Sequence, residues 1–222
     1  MILRFLIILS LFLLPMPSMA TEAQSRDDYA TACQLTPPNR SNTYPGVANI
    51  TQYNNLVQPE GKSIIAAGEF VYLSGRIFDE RCVPLSEARV EMWQANGAGK
   101  YIYPDKGSFA NPYPLFAGTG ATVTDGEGRY SFFTIFPGTA NAKSAPQIHF
   151  RITHPDTKDL FTTMFFSGDV RNTEDATFRR IPVDIKPLVV GITEAFTRDD
   201  GTTGLHVHHD ITVKGSDKFR RF

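Results

Sequence analysis

The sequence predicts an all-β fold, a β-sandwich, and three observations carry that prediction. From Glu69 onward the chain breaks into short runs rich in Val, Ile, Phe and Tyr, separated by Gly, Pro, Asn and Asp, which is the pattern of strands and turns. Within those runs apolar and polar residues alternate, so each run offers one face to a core and one away from it. No sustained helical period appears, and the only helix candidates are short, near residues 173–180 and 27–33.

Taken in order, residues 1–20 read as a signal peptide: one early positive charge at Arg4, an apolar run from Phe5 to Leu14, a proline-containing break, and small residues at Ser18 and Ala20. The apolar run is about half the ~20 residues of a membrane-spanning helix. The expectation is a secreted or periplasmic protein with no membrane contact after cleavage. Residues 21–62 are polar and rich in Asn, Gln, Thr and Pro, and read as an N-terminal arm laid over a core; residues 63–222 read as the sandwich domain. Export places Cys33 and Cys82 in an oxidising compartment, where they most simply form one disulfide. Two separate buried thiols are the alternative. The net charge of −1, scattered along the chain, leaves no footprint for nucleic acid.

The strand candidates are EFVYLSGRIFD at 69–79, ARVEMWQAN at 88–96, ATVTDGEGRYSFFTIFPG at 121–138, QIHFRITHP at 147–155, LFTTMFFSGD at 160–169 and HHDITVKG at 208–215. Asp125-Gly126 and Gly128 give a hairpin signal between two alternating segments. Pro84-Leu85, Gly75 and Pro137-Gly138 are expected to shape turns, and Val90, Met92 and Trp93 to pack. In the fourth run Ile148, Phe150 and Ile152 alternate with Gln147, His149 and Arg151, which sets His149 on the same face as Gln147.

Several of these segments, with CQLTP at 33–37 and GRIFDERCVPLSEARVEMWQANGAGKY at 75–101, together resemble the intradiol ring-cleavage dioxygenases, the protocatechuate 3,4-dioxygenase branch most closely. The resemblance implies a β-sandwich beside a non-haem Fe(III) held by two tyrosines and two histidines, and O₂-dependent cleavage of a catechol-type ring. The histidines form an H-x-H pair, which here reads Gln147-Ile148-His149. The second tyrosine position falls on Ala140 and the first, aligned without gaps, on Ser108; Tyr103 or Tyr113 could restore one phenolate. The nearest counterpart of the family's arginine before the H-x-H pair is Lys143, a candidate catalytic residue. Tyr101, Ser108 and Gln147 would line the ligand site. Two outcomes follow: a lost or altered metal site, or iron held by His149 with loop tyrosines. The resemblance also implies a small aromatic ligand and a homo- or hetero-oligomer, since protocatechuate dioxygenase pairs related subunits.

LHVHHD at 205–210 is a second place for metal chemistry. On a strand His206, His208 and Asp210 share one face while Val207, His209 and Ile211 take the other. Such ligands suit Zn(II), Cu(II) or Ni(II); a solvated edge is the alternative. If this strand lies near that of His149, His206 or His208 could join it in a histidine-rich site for Zn(II) or Cu(II). His154, before Pro155, reads as a loop residue. The stretch YIYPDKGSFANPY at 101–113 either lines an aromatic cleft or packs over the sandwich end. No arrangement for acyl transfer or glycoside hydrolysis is present.

Overall fold

The computed structural model describes residues 33–41, 43–58, 66–101, 115–199 and 201–216. Residues 1–20, read above as a signal peptide, all but the last residue of the helix candidate over 27–33, and Tyr103, Ser108 and Tyr113 lie outside the described residues.

Among the described residues nine strands form, β1 (Phe70–Asp79), β2 (Arg89–Gln94), β3 (Thr119–Val123), β4 (Arg129–Ile135), β5 (Gln147–Thr153), β6 (Leu160–Phe166), β7 (Val190–Thr197), β8 (Thr203–His208) and β9 (Ile211–Val213). Their spatial order is β3-β2-β5-β6-β7-β8-β1-β4, with β9 on β1. Between β6 and β7 the pairing is limited to Phe165 with Val190 and Phe166 with Gly191. The chain is therefore a sandwich of two halves, β3-β2-β5-β6 facing β7-β8-β1-β4, nearly closed into a barrel.

Alternation explains the core. Val71, Leu73 and Ile77 of β1, Val90 and Met92 of β2, Ile148, Phe150 and Ile152 of β5, and Met164 and Phe166 of β6 are all buried. Each such side chain contributes about 1.5–3 kcal/mol of transfer free energy. Gly75 lies in this inner row rather than in a turn, which corrects the sequence reading. The loop after β8 crosses β1 there, His209 N donating to Ser74 O at 2.9 Å, and a Cβ on residue 75 would collide with the His209 carbonyl.

The hairpin expectation also needs correction. The turn itself forms, with Gly128 at φ 72° and Gly128 N donating to Asp125 O at 3.0 Å. But β3 pairs with β2 and β4 with β1, so the turn carries the chain between the two halves. Local turn chemistry specifies a reversal, not a partner.

Cys33 and Cys82 are joined, with Cα atoms 5.3 Å apart, tethering the N-terminal segment to the turn after β1. From there the segment crosses the sandwich: Thr36 N donates to Thr212 O, Asn39 N to Phe161 O, and Leu56 N to Phe133 O. Leu56 and Val57 enter the core. The helical expectation near 173–180 is met by a 3-10 turn at Val170–Thr173 and by α1 (Ala176–Arg180). Asp175 caps α1 by accepting from Thr177 N and Phe178 N.

Candidate functional site beside His149

Register sets the site. Trp93 on β2, His149 on β5 and Thr163 on β6 are direct cross-strand partners, so all three leave the outer face of one sheet in a single row. The imidazole stacks on the Trp93 ring at 5.3 Å. Its Nδ1 shares a hydrogen bond of 2.9 Å with Thr163 Oγ1, and its Nε2 one of 2.7 Å with the Tyr101 hydroxyl. Both ring nitrogens thus have partners whichever tautomer is present.

Tyr101 reaches His149 because of a tight turn after β2. Asn96 Oδ1 accepts from Ala98 N and Lys100 N, and Gly138 N donates to Asn96 O at 2.9 Å. Gly99 (φ 75°) and Gly138 lie where any Cβ would strike the opposing backbone, so two glycines allow the two segments to dock.

A roof of N-terminal residues closes the site. Asn39 Nδ2 donates to Thr163 Oγ1 at 2.7 Å, and Trp93 Nε1 donates to Thr43 Oγ1 at 3.1 Å. The Tyr44 ring meets Trp93 edge-on at 5.0 Å, and its hydroxyl donates to Glu91 Oε2. Glu91, buried, is paired with Arg89 at 2.8 Å and Arg151 at 3.5 Å. Under this roof His149 is 3% exposed, and burial pushes its pKa down to about 3, so the ring is neutral at physiological pH.

The other predicted residues are placed differently. Gln147 is half-buried on His149's face of β5, opposite Phe165. Ala140 and Lys143 are exposed in the segment before β5. His154 lies in the loop after β5, where its Nδ1 accepts from Asp156 N. On β8, His206 Nε2 shares a hydrogen bond with Ser74 Oγ at 2.8 Å and stacks on Tyr72 at 5.2 Å. His208 meets Asp210 at 3.2 Å, both about half exposed. Val207, His209 and Ile211 are buried, as their alternation predicts. Burial holds the His209 pKa at about 3 as well.

The family described as Dioxygenase matches residues 42–215. The chain belongs to the intradiol dioxygenase family. It is 34% identical over 157 residues to the protocatechuate 3,4-dioxygenase beta chain of Burkholderia cepacia, covering 68% of this chain and 66% of that one. It is 28% identical over 137 residues to the alpha chain of the same organism, covering 59% and 66%. The chain thus spans about two thirds of the length of these curated relatives. Among solved structures, the dioxygenase domain of a dioxygenase carbohydrate-binding fusion from Streptomyces sp. SirexAA-E superposes with a TM-score of 0.61 at 23% identity, covering 82% of this chain and all of that one. That likeness is one of fold.

Intradiol family membership implies Fe(III), and the residues present test the fit. Tyr101 Oη and His149 Nε2, 2.7 Å apart, have about the spacing of two adjacent ligands on one ion with bonds of ~2.0–2.1 Å. Of the positions aligned with the family's other ligands, Gln147 carries an amide, Ala140 a methyl group, and Ser108 lies outside the described residues. Among the described residues no group of three or more His, Cys, Asp and Glu converges on a metal position. One phenol and one imidazole do not balance a hard trivalent ion, so the described donors do not fit it.

The composite histidine site is corrected too. β6 and β7 lie between β5 and β8, which puts His149 on the outer face of one half and His206 and His208 on the outer face of the other, so the three imidazoles do not converge. Sequence showed the faces of both strands but not their order in the sheet.

A cleft of about 290 Å³ adjoins the site, lined by Pro37 and Asn39 of the N-terminal segment, Thr163 and Phe165 of β6, and Arg180 and Ile181 at the end of α1. Thr163 belongs both to this lining and to the His149 hydrogen bonds. Sequence reasoning missed Asn39, Thr163 and Arg180. Each is brought in by register or long-range packing and carries no local motif.

Proposed function

We propose that this chain is an exported intradiol-family protein that binds a small aromatic acid beside His149 without the family's four-ligand iron chemistry. One observation carries the reading: His149 is buried, neutral, and hydrogen-bonded through both nitrogens, to Tyr101 and Thr163. The adjoining cleft supplies what a ring carboxylate needs. Phe165, Ile181 and Pro37 offer apolar walls, Thr163 a hydroxyl, and Arg180 a guanidinium for the carboxylate. The alpha and beta names of the Burkholderia relatives support pairing with a second copy or a related chain.

A second reading rests on the Tyr101–His149 distance, which suits a shared ion if further ligands come from outside the described residues. Incubation with protocatechuate under O₂, combined with calorimetric titration of the same compound, separates the two. The first reading predicts reversible binding and no ring-opened product. Turnover on the order of 10 s⁻¹ would establish the second, and absence of both binding and turnover would remove both.

A further inference from the structure

The outer face of the opposite half carries a groove unrelated to His149. Tyr72 of β1 is the cross-strand partner of Phe133 on β4 and of His206 on β8. The three rings therefore adjoin in one row, with centroids 5.3 Å and 5.2 Å apart and planes tilted by only 31° and 29°. They form an offset stack of three half-buried rings along the floor of the groove. Phe196 of β7 stands at one end, in edge contact with Phe70. The Arg198 guanidinium lies over Phe70 at 5.5 Å and over Phe196 at 6.0 Å. His206 is fixed by its hydrogen bond to Ser74. Together Tyr72, Phe133, Phe196, Arg198 and His206 bound about 410 Å³.

We propose that this groove is a binding site for a planar aromatic carboxylate of two or more fused rings. A row of three offset rings is longer than one ligand ring can cover, and its edges and half-exposed faces pack against the face of an extended aromatic ligand. Arg198, held by its cation–π contacts, presents the planar donor fork that matches a carboxylate. Among the described residues that line the groove the only full charge is positive, and none of them carries a carboxylate or amide to receive sugar hydroxyls. Glu194, opposite His206 on β7, is not part of the lining. These features favour an anionic aromatic compound over a glycan.

The test uses ¹⁵N-labelled full-length protein titrated with 2-naphthoate, 2-naphthalenemethanol and cellohexaose. The expected result is saturable shifts in the amides around Tyr72, Phe133, Phe196, Arg198 and Leu205 with 2-naphthoate. About tenfold weaker binding is expected for the uncharged alcohol and for Arg198→Ala, the loss of one charge-assisted pair. Arg198 is exposed, so its removal leaves the core intact. Shifts confined to the Thr163 and Ile181 region would report the other cleft and overturn this site while supporting that one. Saturation by cellohexaose with the same amides, or 2-naphthoate binding unchanged by Arg198→Ala, would also overturn it.

Discussion

His149 and His206 both leave a strand on the outer side of the sandwich, yet one is roofed and the other borders an open groove. His149 has Trp93 beneath it, Tyr101 and Thr163 at its nitrogens, and Asn39 behind Thr163. His206 has Ser74 and Tyr72, with space above. The difference lies in what the rest of the chain does with each face. The N-terminal segment crosses β5 and β6, donating from Asn39 N to Phe161 O, and burial there converts an ionisable ring into a neutral hydrogen-bonding element. An imidazole's chemistry is thus set by the covering segment rather than by its strand.

If covering is the cause, loosening the cover should have the largest effect. Replacing Cys33 and Cys82 with serine removes a link across 49 residues of sequence, worth about 4 kcal/mol in the chain-entropy account. Thermal unfolding should show that loss, and amide exchange at Thr163 and His149 should rise more than at His206. Equal protection on both faces would break the comparison.

Single substitutions sharpen it. His149→Ala leaves a cavity against Trp93 and removes one hydrogen-bond partner each from the Thr163 and Tyr101 hydroxyls, for a cost of about 3 kcal/mol in denaturant unfolding. His208→Ala, on the exposed side, should stay within about 0.5 kcal/mol. Similar values for the two would mean that the roof does not seal.

Per pH unit, the effect of protonation is smaller. Burial depresses the His149 and His209 pKa values to about 3 from 6.5. Between those limits the unfolded chain binds protons that the native chain does not, so stability falls as pH drops below 6.5, with a limiting slope of about 1.4 kcal/mol per pH unit for each histidine. The window from about pH 6.5 to 4.5 lies above the carboxylate range. His149→Gln should flatten the slope there; an unchanged slope would mean that His149 protonates readily.

Much of this was legible in the sequence, and the rest failed for identifiable reasons. The alternation of residues 147–153 placed Ile148, Phe150 and Ile152 inside and His149 outside, as observed. The same logic buried His209 between Val207 and Ile211. What alternation lacks is the identity of neighbours. Nothing near His149 announces Asn39, whose bond to Thr163 spans 124 residues. Nothing near Asp125 says that β3 and β4 part company, and nothing in LHVHHD says that two strands separate it from β5. Gly75 read as a turn because glycine's other use, letting a carbonyl pass close, shows only once the crossing segment is placed.

The central claim is that His149 is occupied by protein partners instead of iron. Metal analysis and a visible spectrum of protein purified without an affinity tag test it most directly, because tyrosinate bound to Fe(III) gives the family its burgundy colour. The account predicts colourless protein without stoichiometric iron, both as purified and after incubation with ferric salt followed by desalting. One iron per chain with a tyrosinate charge-transfer band, abolished by Tyr101→Phe, would contradict it.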